Sequence, residues 1–115
     1  MNIKKYMLNI GHEAKIASVG TASATTIQKN KFLNILGNRI LDNEDSIIAA
    51  NKKDLIKASE DKQDEAFIDR LTLTKKNILD MANGLFQIEK LDDPIGQISN
   101  ERTMQSGIKV SQMRV

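Results

Sequence analysis

The sequence predicts a mainly helical fold that ends in a β-hairpin. Apolar residues recur at three- and four-residue spacing through most of residues 2–90, which is the pattern of one face of an α-helix. Aromatic residues are scarce, and the complete set is Tyr6, Phe32, Phe67 and Phe86. After Pro94, the only proline, apolar and polar residues alternate as they do in strands.

Two apolar stripes predict the first two helices. The stripe of residues 2–19 consists of Ile3, Tyr6, Met7, Ile10, Ala14 and Ala17. A turn of small residues at 20–24 follows, and Thr25 or Thr26 provides a cap for a helix that runs to about Leu41. The stripe of this second helix is Phe32, Leu33, Leu36 and Ile40. Gly37 lies beside that stripe, which indicates the close approach of a neighbouring helix.

The middle of the chain predicts shorter helices. Residues 42–45 form a break, a short helix follows at 46–50, Asn51 interrupts it, and helix resumes at 53–59. Residues 64–71 make two helical turns that are expected to bury Phe67, Ile68 and Leu71. Thr74 caps a last helix at 75–90, with Ile78, Ala82, Leu85 and Phe86 on its buried face.

The end of the chain predicts a turn at 92–96 and two strands, 98–104 and 108–115, joined by a turn at 105–107. One face of the second strand is expected to carry Ile108 and Val110. A two-stranded hairpin is marginal in water, and the sequence ends within the second strand. We therefore expect a leading segment of a larger protein, with a helical part at 1–91, a turn and hairpin at 92–115, and marginal stability by itself.

Composition excludes several functional classes. The 17 basic and 15 acidic residues are interspersed, so the net charge of +2 does not form the basic stripe typical of nucleic-acid binders. The chain has no cysteine, which excludes a disulfide, a thiolate nucleophile and a thiolate metal site within these residues. No apolar run reaches the length of a membrane span, so the default location is cytoplasmic.

The residues that could carry chemistry are few and isolated. His12 is the only histidine, and it has no second histidine or cysteine to share a metal ion. The carboxylates of Asp64, Glu65 and Asp69, and the pair Asp92–Asp93, are expected to serve at helix starts and turns. Asp69 and Arg70 are expected to form an ion pair at a helix end. With no glycine-rich phosphate motif, we predict no catalytic, cofactor-binding or metal residue in this chain.

Several segments, taken in order, resemble one family. Residues 69–74 (DRLTLT) match its D-R-L-x-L-T motif, and residues 91–96 (LDDPIG) match its L-x-D-P-x-G turn. Weaker similarities are TTIQKNKFL at 25–33, ANKKDL at 50–55, SGI at 106–108 and RV at 114–115. The chain is similar to gamma-glutamyl phosphate reductase, also called glutamate-5-semialdehyde dehydrogenase.

The resemblance implies the N-terminal part of an α/β aldehyde dehydrogenase-like fold and a homo-oligomeric enzyme. Such an enzyme reduces L-glutamyl 5-phosphate with NADPH to L-glutamate 5-semialdehyde and phosphate, the second step of proline biosynthesis from glutamate. That chemistry uses a cysteine thiolate to form a thioester, and this chain has none. The resemblance therefore implies that this chain forms part of the scaffold of the enzyme, and it assigns a catalytic or binding role to no residue here. Arg70 is expected to be structural.

Two other interpretations remain open from the sequence. A small stand-alone helical interaction module would need no further domain. A basic nucleic-acid binder would show salt-sensitive binding, and the balanced charge ranks it last. The sequence does not distinguish NADPH from NADH as the cofactor, or establish the oligomeric state, except through the family.

Overall fold

The computed structural model describes residues 2–115, in which five helices precede two strands. The helices are α1 (Ile3–Ala22), α2 (Thr26–Asp42), α3 (Glu44–Glu60), α4 (Glu65–Leu71) and α5 (Lys75–Glu89). The strands are β1 (Ile98–Thr103) and β2 (Lys109–Met113). The predicted class, mainly α with a C-terminal β-hairpin, is confirmed.

The chain divides into two compact units. One is Ile27–Leu91, and the other combines the chain up to Thr26 with Asp92–Val115. The first unit therefore contains nearly all of α2 and all of α3, α4 and α5. The second contains α1 and the hairpin.

The core of the unit Ile27–Leu91 is small and aliphatic. Ile78 and Ala82 of α5 are fully buried, and Ala58 of α3 is 7% exposed. On α2, Gly37 is buried against the ring of Phe86, because a Cβ placed on Gly37 would lie 2.5 Å from Cε1 of that ring. The predicted close approach at Gly37 is confirmed, and the predicted buried face of the last helix is confirmed for Ile78 and Ala82, whereas Leu85 and Phe86 are half-buried.

The predicted break at Asn51 is wrong, because α3 runs unbroken from Glu44 to Glu60. Asparagine is unfavourable in a helix interior when its side chain competes for the hydrogen bonds of nearby backbone groups. The side chain of Asn51 instead bonds to the backbone at the C-terminal end of α4 and just after it, so α3 continues through Asn51.

The predicted turn at 20–24 begins too early, since α1 continues to Ala22. The hydroxyl of Thr21 donates to the carbonyl of Ala17 at 3.0 Å, which gives this polar side chain a partner within the helix. Glycine at position 20 is tolerated there at a cost of about 1 kcal/mol relative to alanine.

Two phenylalanines predicted to be buried are exposed. Phe32 is 62% exposed, because it lies about 140° around α2 from Gly37, which marks the buried face of that helix. Phe67 is 43% exposed on α4, and Ile68 and Leu71, the other residues predicted to be buried there, are half-buried.

The second unit contains two elements with little burial of their own. Every residue of α1 is exposed, and so is every residue of β1 and β2. The strands are antiparallel, with Ile98 opposite Met113 and Thr103 opposite Lys109. The register shifts between Ser99 and Arg102, where Asn100 adopts a φ of 52°. Gly107, with a φ of 84°, supplies the left-handed turn between the strands.

Candidate functional site

The most organised polar site in the unit Ile27–Leu91 is built around Asn51. This residue is 7% exposed and lies in the middle of α3. Its Nδ2 donates to the carbonyl of Leu71 at 2.8 Å, and its Oδ1 accepts from the backbone N–H of Leu73 at 2.9 Å. An amide group is both donor and acceptor, so this one side chain satisfies one backbone group in the last residue of α4 and one in the connection from α4 to α5.

The segment held by Asn51 is the DRLTLT motif, and its local structure follows from its threonines. Thr72 ends α4, with its N–H and hydroxyl both donating to the carbonyl of Ile68. Thr74 is the N-cap of α5 and forms a capping box with Asn77. Leu73, between these two threonines, directs its N–H to Asn51. Two segments on which the resemblance was based, ANKKDL and DRLTLT, are thus hydrogen-bonded to each other.

A surface ion pair joins the starts of two helices in the same unit. Nζ of Lys75 lies 2.9 Å from Oε1 of Glu44 and 3.9 Å from Oδ1 of Asp45. The hydrogen bond from Lys75 to Glu44, together with the charges of Glu44 and Asp45, raises the pKa of Lys75 above its ordinary value. The Lys75 side chain is 72% exposed, so solvent screens this pair.

His12 lies alone on the exposed surface of α1. The residues around it include Lys5, Leu8 and Asn9, which line a shallow hollow along that helix. The neighbouring carboxylate, Glu13, accepts a hydrogen bond from Asn9 at 3.0 Å. Among residues 2–115, no cluster of potential metal ligands includes His12, and the carboxylate of Glu13 bonds to Asn9.

The carboxylates at 64, 65 and 69 are dispersed along α4 and its start. Asp64 is the N-cap, and its Oδ1 accepts from the N–H of Phe67 at 2.7 Å. Glu65 occupies the first helical turn, where a negative charge is favourable. The predicted helix-start role is confirmed for both residues.

The predicted ion pair between Asp69 and Arg70 is not among those formed in residues 2–115. Consecutive residues on a helix do not face each other. Arg70 instead folds back along α4, and its Nε donates to the carbonyl of Ala66 at 3.1 Å. Arg70 is exposed, and this hydrogen bond lies within its own helix.

In the second unit, Asp93 organises the turn that precedes the hairpin. Its Oδ1 accepts from the N–H of Ile95 at 3.0 Å, and its Oδ2 accepts from the hydroxyl of Thr26 at 2.8 Å. The first contact is the turn role predicted from the sequence. The second contact, across 67 positions of sequence, was not predicted.

Asn51 is the residue that the sequence analysis missed, although a signal was present. Ile48, Asn51, Leu55 and Ala58 follow the three- and four-residue spacing of one helical face. A polar residue at the centre of such an apolar stripe indicates a buried side chain with its own hydrogen-bond partners. Read in that way, the stripe predicts a continuous helix.

Neither a metal-binding cluster nor a membrane-spanning helix is found in the described part of the chain. Between residues 2 and 115, no three histidine, cysteine, aspartate or glutamate side chains come together to hold a metal ion. None of the helices in that range has the length and apolar character needed to cross a membrane.

The fold of this chain is similar to part of a solved enzyme structure. No protein-family model matches the sequence. Among solved structures, gamma-glutamyl phosphate reductase from Thermotoga maritima matches with a TM-score of 0.75 and 28% sequence identity. The match covers 79% of this chain and 22% of that enzyme's chain. The resemblance predicted from the motifs is therefore confirmed, and the chain is built like a segment of gamma-glutamyl phosphate reductase.

Proposed function

We propose that this chain is a segment of an NADPH-dependent gamma-glutamyl phosphate reductase of proline biosynthesis. The complete enzyme would convert L-glutamyl 5-phosphate to L-glutamate 5-semialdehyde and phosphate. The observation that carries the proposal is the match to the Thermotoga maritima enzyme over 79% of this chain, at 28% identity. The hydrogen bonds between the ANKKDL and DRLTLT segments add independent support, because they give two motifs of the resemblance one physical role.

The role we propose for the chain within that enzyme is scaffolding. Residues 1–91 would form a helical part of the cofactor domain, and residues 92–115 would lead into its sheet. The thiolate that attacks the acyl phosphate would come from elsewhere in the enzyme, because the chain contains no cysteine. The isolated 115-residue chain is then expected to have no reductase activity.

The glycines of this chain are not arranged as they are in a phosphate-binding loop. Phosphate-binding loops place glycines between a strand and the N-terminus of a helix. Gly96 and Gly107, which have positive φ, lie instead in the turns before and within the hairpin. We therefore assign NADPH binding to no residue of this chain. A cytoplasmic location and assembly into a homo-oligomer complete the proposal for the whole enzyme.

The alternative is a stand-alone helical interaction module. It is favoured by the exposed apolar side chains of α1, where Ile3 is 69% exposed and Met7 is 57% exposed. A binding module would use this surface as it stands. A reductase segment would bury it against the remainder of the enzyme.

Segment replacement distinguishes these functions. The matched segment of the Thermotoga maritima reductase is exchanged for this chain, and NADPH production from glutamate 5-semialdehyde, phosphate and NADP⁺ is measured. We expect turnover by the chimera and none by the isolated chain. A chimera carrying Ile78→Ala is the control, since loss of this core residue would lower its thermal midpoint.

Two outcomes would contradict the proposal. Turnover by the isolated chain would show that the scaffold role is wrong. A chimera that is folded but inactive, or that cannot fold, would show that the segments are not equivalent. Reading the coding sequence past codon 115 gives a cheaper check, because a reductase is expected to continue to a cysteine nucleophile.

A further inference from the structure

The apolar side chains of the segment from Asp64 to Leu73, called here the α4 strap, are only partly buried. None of the residues of α4 is buried. Ile68, Leu71 and Leu73 are half-buried, and Phe67 is 43% exposed. By contrast, α5 places Ile78 and Ala82 fully inside the core.

The hydrogen bonds of the strap are mostly its own. Asp64 caps the first turn of α4, and Thr72 closes the last turn on Ile68. The capping box of Thr74 and Asn77 begins α5 without any contribution from the strap. These bonds can persist whether or not the strap contacts α3.

Between residues 2 and 115, both hydrogen bonds that join the strap to α3 come from the Asn51 side chain. Lys62 precedes the strap with a φ of 54°, and Thr74 follows it in extended conformation. An element with partly exposed apolar side chains and mostly local hydrogen bonds is expected to open at lower free energy than the core.

We propose that the α4 strap opens from α3 as one unit, and that the carboxamide of Asn51 is the latch that holds it closed. Opening separates Phe67 and Leu71 on the strap from Ala58 and Lys57 on α3, residues that face each other across a cleft of about 220 Å³. It leaves in place the contact of Gly37 on α2 with Phe86 on α5, because neither residue belongs to the strap. The inference is independent of the proposed reductase function, since it concerns contacts within Ile27–Leu91.

Hydrogen exchange on the full chain, followed by mass spectrometry, tests the latch through Asn51→Ala. The variant leaves the carbonyl of Leu71 and the N–H of Leu73 without their partner. We expect amide exchange in residues 64–73 to accelerate by roughly tenfold to hundredfold, the effect of losing two part-buried hydrogen bonds. Exchange in the centres of α2 and α5 should remain at the wild-type rate.

An equal acceleration throughout 27–91 would overturn the proposal, because the strap would then open only with the whole unit. No acceleration would also overturn it, because Asn51 would then not be the latch. Asn77→Ala is the matched control. It removes an asparagine that bonds the start of α5, and it should accelerate exchange at Thr74 without affecting 64–70.

Asn51→Asp gives a second test that does not depend on the alanine variant folding. A protonated carboxyl group has the donor and acceptor pattern of the amide, whereas a carboxylate has no donor for the carbonyl of Leu71. The closed strap therefore favours the protonated form and raises the pKa of this carboxyl. Protection of 64–73, corrected for intrinsic exchange, should be high at acidic pH and fall as pH rises through that pKa. Protection that is independent of pH in this variant would overturn the latch.

Discussion

The two compact units of the chain carry similar helical sequence patterns but differ in what those patterns bury. In Ile27–Leu91, the stripe of α5 places Ile78 and Ala82 in a closed interior. In the other unit, α1 has a stripe of comparable length, yet every one of its residues is exposed. The difference shows that helical periodicity specifies which residues can be buried together. Burial itself requires a second surface within reach, and helix packing supplies most of helical stability.

The largest change in the free energy of unfolding is expected when the two units are compared through alanine variants of two isoleucines. Ile78→Ala removes a fully buried side chain and should lower the free energy of unfolding by about 2–5 kcal/mol. Ile16→Ala makes the same chemical change in α1, where Ile16 is 61% exposed, and should change it by less than about 0.5 kcal/mol. Urea unfolding followed by far-UV circular dichroism measures both. Equal losses would mean that α1 shares a core with the helices of the other unit.

A smaller effect is expected at Gly37, where α2 meets the ring of Phe86. A Cβ there would lie 2.5 Å from Cε1 and 2.8 Å from Cζ of the ring. Overpacking costs about 1–3 kcal/mol, and alanine returns about 1 kcal/mol of helix propensity. Gly37→Ala should therefore lower the free energy of unfolding by about 1 kcal/mol, measured by the same urea titration.

Gly84→Ala is the matched control for this contact, because no other side chain lies within 4 Å of the Cβ it would add. It should raise the free energy of unfolding by about 0.5–1 kcal/mol, since alanine favours the helix. Phe86→Leu should reduce the cost of Gly37→Ala in the double variant. A loss at position 37 that is the same with either residue at 86 would show that the ring is not the cause.

Much of the fold was predictable because local signals specify it. Thr74 and Asp64 predict the starts of the helices they cap, and the alternation of apolar and polar residues after Pro94 predicts the hairpin. The fold class and the position of Gly37 against a neighbour followed from the same kind of pattern. Errors arose where a residue's partner is distant in sequence. Asn51 was predicted to break a helix because its partners, Leu71 and Leu73, are 20 and 22 positions away.

The site was less predictable than the fold for the same reason. Helix-start roles for Asp64 and Glu65 are local and were found. The bond from Thr26 to Asp93 depends on the chain returning to the same place, and no spacing rule reveals it. The exposure of Phe32 likewise depends on which side of α2 the neighbouring helix occupies. That this chain holds no catalytic, cofactor-binding or metal residue stays a prediction.

The smallest expected effect concerns the ion pair that joins α5 to α3. Lys75→Met removes the contact of Nζ with Glu44, 2.9 Å away, and should slightly lower the urea midpoint at neutral pH and low salt. The folded-state pKa of Lys75 lies above the ordinary 10.5, chiefly because of its hydrogen bond to Glu44. The stabilisation is therefore complete below the ordinary pKa and is lost as pH rises through the folded-state value.

The difference in midpoint between wild type and Lys75→Met should accordingly shrink at alkaline pH, and it should also shrink with added salt, because most of the lysine side chain is in solvent. Lys76→Met is the control. Lys76 also has a raised pKa, but its partner Asp80 is on the same helix at 2.7 Å, so this pair supports only local structure. If the difference in urea midpoint between wild type and Lys75→Met is unchanged at alkaline pH, then Lys75 stabilises the fold by packing its aliphatic stem on α3 and not by its charge. The contrast between the units would then rest on apolar contact alone, even at this exposed edge.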